Sequence, residues 1–231
     1  VWLDERTDCD QPVCPAPAEP AAGGRAYDTL FVRHWDRWAD GTRSRLLALP
    51  IVRGVAGAPV LVSRGLDGDV PSRPFGGAEE VAWSPDGRTL YFALREAGRT
   101  EAWSTNLDIF AAPADGSRKP ANLTAANKAT DSLPAVSPDG RWLAWVAMAR
   151  PGYESDRQVV HLRDLTNGRT RALTGDWDRS VDSLAWAPDG SGLYVTAQDH
   201  FDHALFRIGL AGGPPRRLSG DGSVGAVVPL A

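Results

Sequence analysis

Four groups of residues in this chain have the types and spacing that chemistry uses. Glu79 and Glu80 are adjacent carboxylates that follow the Gly76-Gly77 pair, on a loop that could project toward a partner domain. His34-Trp35-Asp36 with Trp38 offers aromatic faces and a polar pair within five residues, suited either to walling a pocket or to pinning a segment onto the fold. His200 and His203, flanked by Asp199 and Asp202, have metal-pair spacing on a helix, but the Tyr194-Val195-Thr196 and Ala204 to Arg207 segments beside them read as strands, which makes a hairpin loop the better description and no metal is expected. Cys9 and Cys14 lie in a Pro-rich stretch where a turn would bring their Cα atoms within the roughly 4.4 to 6.8 Å of a disulfide. Paired, they imply an oxidising compartment; two unpaired loop thiols are the alternative. A serine nucleophile has no setting here, because no Gly-x-Ser-x-Gly elbow occurs. The nearest run, Gly222-Ser223-Val224-Gly225, has Asp221 where the first glycine should stand.

Whatever these residues do, short strands must position them. The 231 residues include 24 Gly and 18 Pro, which break long helices and favour tight turns, and nine Trp against one Met, a balance suited to pleated surfaces. A formal charge of −4 with no long basic run argues against nucleic acid as a partner. No window approaches the roughly 18 to 20 apolar residues of a membrane-spanning helix.

A repeat organises the chain. Ser84-Pro85-Asp86-Gly87, Ser137-Pro138-Asp139-Gly140 and Ala187-Pro188-Asp189-Gly190 each stand between a short apolar run and an alternating one. Proline presets the first turn dihedral, Asp bonds its own backbone and Gly takes the left-handed position, so each tetrapeptide predicts a hairpin corner. Behind each lies a second landmark, a Gly-containing turn followed by Asn122-Leu123-Thr124, Ala172-Leu173-Thr174 or Arg217-Leu218-Ser219. One unit is therefore four antiparallel strands, the size of a β-propeller blade. The expected fold is all-β, a partial β-propeller of about four four-stranded antiparallel blades spanning 1–231. Its blades fall at 1–63 (incomplete, with an insertion over 6–44), 64–126, 127–176 and 177–231. The insertion is expected to carry a short helix near Tyr27 to Phe31. The unfinished first blade favours part of a larger ring, whose exposed flanks would associate with other edges.

Four further segments are specific: Tyr27-Asp28-Thr29-Leu30-Phe31-Val32-Arg33-His34-Trp35-Asp36, Arg73-Pro74-Phe75-Gly76-Gly77, Trp103-Ser104-Thr105-Asn106-Leu107-Asp108-Ile109 and Arg150-Pro151-Gly152-Tyr153-Glu154-Ser155-Asp156. In this order they resemble the propeller of bacterial dipeptidyl peptidases of the prolyl oligopeptidase family, dipeptidyl-peptidase V type. The resemblance implies a propeller that caps an α/β-hydrolase domain whose Ser, Asp and His cut dipeptides from free peptide N-termini. That catalytic domain and the remaining blades are not found in these 231 residues and are the expected partners, together with a peptide substrate. Holding a substrate ammonium at a fixed distance calls for carboxylates or amide oxygens. The resemblance makes Glu79, Glu80 and Asn106 the candidates, with Glu101 behind them. It implies no cofactor and a periplasmic or secreted location. The competing reading is a stand-alone interaction propeller that binds a protein or a cell-wall partner.

Overall fold

The computed structural model describes residues 2–6, 23–24, 26–39, 41–96 and 98–230. Cys9 and Cys14 lie outside them. The first part of the chain holds β1 (Trp2–Arg6), a short hairpin of β2 (Arg33–His34) and β3 (Arg37–Trp38), β4 (Arg43–Ala48), a second short hairpin of β5 (Ile51–Val52) and β6 (Val55–Ala56), and β7 (Val60–Leu61). Strands β1, β4 and β7 form a three-stranded sheet in that order. Three four-stranded antiparallel sheets follow. They consist of β8 (Val81–Trp83) to β11 (Ala121–Asn122), with β9 (Thr89–Leu94) and β10 (Asp108–Pro113) between them; of β12 (Asp131–Val136), β13 (Trp142–Ala147), β14 (Val159–Asp164) and β15 (Thr170–Ala172); and of β16 (Val181–Trp186), β17 (Gly192–Asp199), β18 (Asp202–Gly209) and β19 (Arg216–Arg217).

The repeated tetrapeptides are the corners between the first two strands of these sheets. At the first, Gly87 N–H donates to the Ser84 carbonyl at 2.9 Å, Ser84 Oγ to Asp86 at 2.6 Å, and the Arg88 N–H to the same carboxylate at 3.0 Å. Gly87, Gly140 and Gly190 all sit near φ +70 (69, 72 and 70), where a side chain is strained. The second landmark is a hydroxyl lock: Thr124, Thr174 and Ser219 accept the backbone N–H of Ile109, Val160 and Leu205 at 2.9, 2.9 and 3.0 Å. Ser63 does the same for Leu46 at 3.1 Å, so β4 and β7 are equivalent to the third and fourth strands of a complete sheet.

Sheets pack face to face, which is why β9 and β13 are apolar on both sides. Leu90, Phe92 and Leu94 meet Leu46 of the first sheet and Val62 and Val70 just beyond it, with Phe92 stacked on Phe110 at 5.9 Å. Tyr91 and Ala93, pointing the other way, pack on Leu143 and Trp145 of the third sheet. Val160 and Leu162 then meet Leu193, Val195 and Phe206 of the fourth. Fully burying one such side chain contributes about 1.5–3 kcal/mol, so these three interfaces hold the stack together.

Antiparallel order sends the link between second and third strands, and the link from one sheet to the next, to the same end of the stack. The corners lie at the other end, where Pro85 approaches Gly140 and Pro138 approaches Gly190. Residues 26–39, 62–80, 98–107, 123–130 and 148–158 therefore share one end. Thr105 ties that end together, its carbonyl accepting from Thr130 Oγ1 at 2.7 Å and its hydroxyl from the Gly152 N–H at 2.9 Å.

Candidate functional site

The loop from Val70 to Glu80 places the two adjacent glutamates in opposite surroundings. It ends in a single 3-10 turn, Ala78–Glu80, whose Glu80 N–H donates to the Gly77 carbonyl at 3.1 Å. Glu80 points inward and is buried, accepting from the Ser72 N–H and the Ser72 hydroxyl, both at 2.7 Å. Burial pushes its carboxyl above the ordinary value, and the two Ser72 bonds act against that rise. Gly76 completes the clamp. A Cβ there would lie 2.5 Å from Glu80 Oε2 and from the Ser72 carbonyl, so only glycine fits. Glu79 points to solvent and has no hydrogen bond or ion pair among the described residues. Glu80 thus shapes the turn, while Glu79 keeps a free carboxylate.

Residues 26–39 supply an aromatic shelf against this loop. Tyr27 stacks on Trp38 at 6.2 Å and donates its hydroxyl to the Ala39 carbonyl at 2.8 Å. Phe31 meets His34 edge-on at 5.6 Å, His34 meets Trp35 at 5.1 Å, and Trp35 reaches Phe75 of the glutamate loop at 5.4 Å. Trp35, Trp38 and Phe75 are 65%, 63% and 78% exposed, an unusual amount of aromatic surface to leave facing water at one place. The helix expected near Tyr27 to Phe31 does not form; the segment is a bend. Its ring contacts to the β2–β3 hairpin hold it out of helical register.

Glu101 lies on a second 3-10 turn, Gly98–Trp103, in the link between β9 and β10. Its carboxylate is taken by Arg43, which donates to both oxygens at 2.8 Å. The same guanidinium reaches Asp69 at 3.1 Å and Asp67 at 3.2 Å, and these carboxylates, Glu101 foremost, hold its proton more firmly than usual. Arg73 joins the cluster through Asp69 at 3.4 Å and Ser44 Oγ at 3.1 Å. Asn106 belongs to a different network. Its amide nitrogen donates to Asp108 at 3.1 Å, Asn122 and Thr124 donate to the same carboxylate at 2.9 and 3.2 Å, and Asn106 Oδ1 is buried without a partner.

The structure therefore places Phe75, Glu79 and Glu80 on one loop with Phe75 against Trp35, sets Glu101 behind Arg43, and places Asn106 beside the second sheet. Arg43, Asp69 and Ser72 organise this end and have no signature in the sequence, since their partners lie 8 to 58 residues away. Tyr153 lies under Arg150 at 4.0 Å, in a loop closed by the Arg150–Asp156 ion pair at 2.8 Å. His200 and His203 fall at the β17–β18 hairpin, and no group of three metal-ligating side chains occurs among the described residues. Ser223 bridges to His203, but both imidazole nitrogens are occupied, one by Asp182 at 2.9 Å and one by the Val224 carbonyl at 2.5 Å. No ring nitrogen is left there to activate a hydroxyl.

No protein-family model matches the chain. Curated relatives do. Dipeptidyl-peptidase 5 from Porphyromonas gingivalis is 32% identical over 86% of this chain and 29% of its own length. Dipeptidyl-peptidase 5 from Arthroderma otae is 31% identical over 90% of this chain and 31% of its own length. Among solved structures, a puromycin hydrolase aligns with a TM-score of 0.54 and 23% identity over 75% of this chain and 27% of its own. A putative TolB from Agrobacterium tumefaciens aligns at 0.55 and 19% over 79% and 59%. Sheets packed in series with shared corners, in this company, define a partial β-propeller. The chain belongs with the propellers of the prolyl oligopeptidase family, and within it to the dipeptidyl-peptidase 5 type. It spans under a third of the length of those two curated relatives.

Proposed function

We propose that this chain is the substrate-gating, amine-binding propeller part of a secreted or periplasmic serine dipeptidyl peptidase that removes dipeptides from peptide N-termini. The kinship with proteins named dipeptidyl-peptidase 5 supports the reaction class. The observation that carries the role is the free Glu79 carboxylate on a turn clamped by Glu80 and Ser72, in the loop whose Phe75 meets the exposed Trp35. A free carboxylate on a clamped turn, in a loop that also carries an aromatic face, suits a peptide's ammonium end, by charge-assisted hydrogen bonding and by cation–π attraction. Nucleophile, base and acid then come from a hydrolase partner, and the clamped turn sets how far into that partner a peptide can reach. Glu101, already engaged by Arg43, stiffens the wall of the site and leaves the amine to Glu79.

The test is hydrolysis of a dipeptidyl reporter by the protein of the full open reading frame. Cleavage of the free-amine substrate, with loss of turnover when its N-terminus is acylated, is expected. A full-length protein that is folded, cleaves neither substrate and captures a protein or cell-wall partner would overturn the reading in favour of an interaction propeller.

A further inference from the structure

A second recess opens at the same end, between residues 28–30 and the Gly98–Trp103 turn. It is a solvent-open depression of about 290 Å³ lined by Asp28, Thr29, Leu30, Arg99, Thr100 and Trp103, all exposed. Its charges are what distinguish it. Asp28 and Arg99 both line it, one from each segment, and neither makes a hydrogen bond or ion pair with any described residue. Opposite charges that share a recess without joining leave a gap that a ligand with one charge of each sign can bridge. A singly charged ion would be attracted by one charge and repelled by the other. The guanidinium presents a planar fork suited to a carboxylate, and the carboxylate of Asp28 accepts from an ammonium. Leu30 and Trp103, 52% and 66% exposed, supply an apolar surface for a side chain between those ends.

We propose that this recess binds a free dipeptide as a zwitterion, its ammonium on Asp28 and its carboxylate on Arg99. The volume suits a molecule of that size, being near the lower end of the roughly 300–1,000 Å³ typical of ligand pockets. Identifying the natural ligand as the released product rests on the peptidase reading above; the chemistry of the recess does not. A dipeptide released by hydrolysis carries both charges, whereas the uncut peptide has no carboxylate at that distance from its amine. The recess therefore selects product over substrate.

The experiment is calorimetric titration of the protein with alanylphenylalanine, its N-acetyl form and its C-terminal amide, using wild type, Asp28→Asn and Arg99→Gln. Wild type should bind the free dipeptide roughly threefold or more tightly than either capped form, the factor expected of one solvent-exposed charge pair. Asp28→Asn should erase the preference for a free amine and keep the preference for a free carboxylate, and Arg99→Gln should do the reverse. Both substitutions are at exposed positions and should leave folding intact. Equal binding of free and capped forms, no saturable binding, or variants that retain both preferences would overturn the proposal. Reporter hydrolysis without dipeptide binding sinks this site and leaves the peptidase reading standing. Charge-matched binding without hydrolysis supports the site and sinks the peptidase reading.

Discussion

Replacing Glu80 by Gln keeps the shape of the side chain and turns one of its two acceptors into a donor. In the native loop both oxygens are used, one by the Ser72 N–H and one by the Ser72 hydroxyl, each at 2.7 Å. The hydroxyl can rotate to suit an amide, but the N–H cannot. The variant can keep both contacts, its oxygen on the N–H and its NH2 on the rotated hydroxyl, but two charge-assisted bonds become neutral ones, a loss of about 1–3 kcal/mol. Part of the loss is returned because the amide avoids the desolvation that raises the carboxyl's pKa. For a protein of this size the net effect corresponds to a fall in Tm of roughly 2–10 °C. Glu79→Gln, one residue away and exposed, should change stability by less than about 0.5 kcal/mol. Thermal unfolding followed by circular dichroism checks both. A double-mutant cycle with Ser72→Ala should show a coupling of about 0.5–3 kcal/mol for Glu80 and none for Glu79. If Glu80→Gln melts with wild type, or couples no more strongly to Ser72 than Glu79→Gln does, the assignment of clamp and free carboxylate is wrong.

Two further outcomes follow from buried charge. Asp131 is 1% exposed, bonded by Trp145 Nε1 at 2.7 Å and Asn127 at 3.0 Å, and burial pushes its carboxyl from 3.8 up to about 7. Because the folded value lies above the unfolded one, the stability it contributes is full below pH 3.8 and is lost as pH rises through about 7. The Tm should therefore fall between about pH 4 and pH 7 and level off above that, and Asp131→Asn should remove much of that slope in a pH series of melts; a variant slope as steep as wild type contradicts this. Arg43→Met removes the guanidinium shared by Glu101 and the buried Asp69, and the stranded charges should cost about 3–5 kcal/mol of unfolding free energy by denaturant titration. A loss under about 1 kcal/mol would show that Arg73 alone satisfies Asp69.

The repeat was readable from the residues because its turns are built from local chemistry. In Ser-Pro-Asp-Gly every bond that makes the corner lies within five residues, and Leu-Thr or Leu-Ser fixes a hydroxyl at a constant place behind it. A hydroxyl lock at Ser63 was less visible, since no Pro-Asp-Gly corner precedes it, although Pro59 to Ser63 carries the same closing pattern. The candidate site was readable only in part. Two neighbouring glutamates look equivalent in a sequence, and what separates Glu80 from Glu79 is a contact with Ser72 eight residues upstream. Glu101 read as a further amine-binding candidate because Arg43, which takes its carboxylate, lies 58 positions away in the chain. The Tyr27 to Phe31 segment misled for a similar reason: its geometry is set by Trp38 and the β2–β3 hairpin, and local propensity yields to those contacts.

The claim that Glu79 holds the substrate ammonium is tested most directly by kcat/KM for a free-amine dipeptidyl substrate and its N-acetyl analogue, compared between wild type and Glu79→Gln in the protein of the full open reading frame. Losing one charge-assisted contact of about 1.5–3 kcal/mol should cut kcat/KM for the free amine by roughly 10- to 150-fold and leave the acetylated analogue unchanged or improved. Equal loss on both substrates, or none on the free amine, would contradict the account.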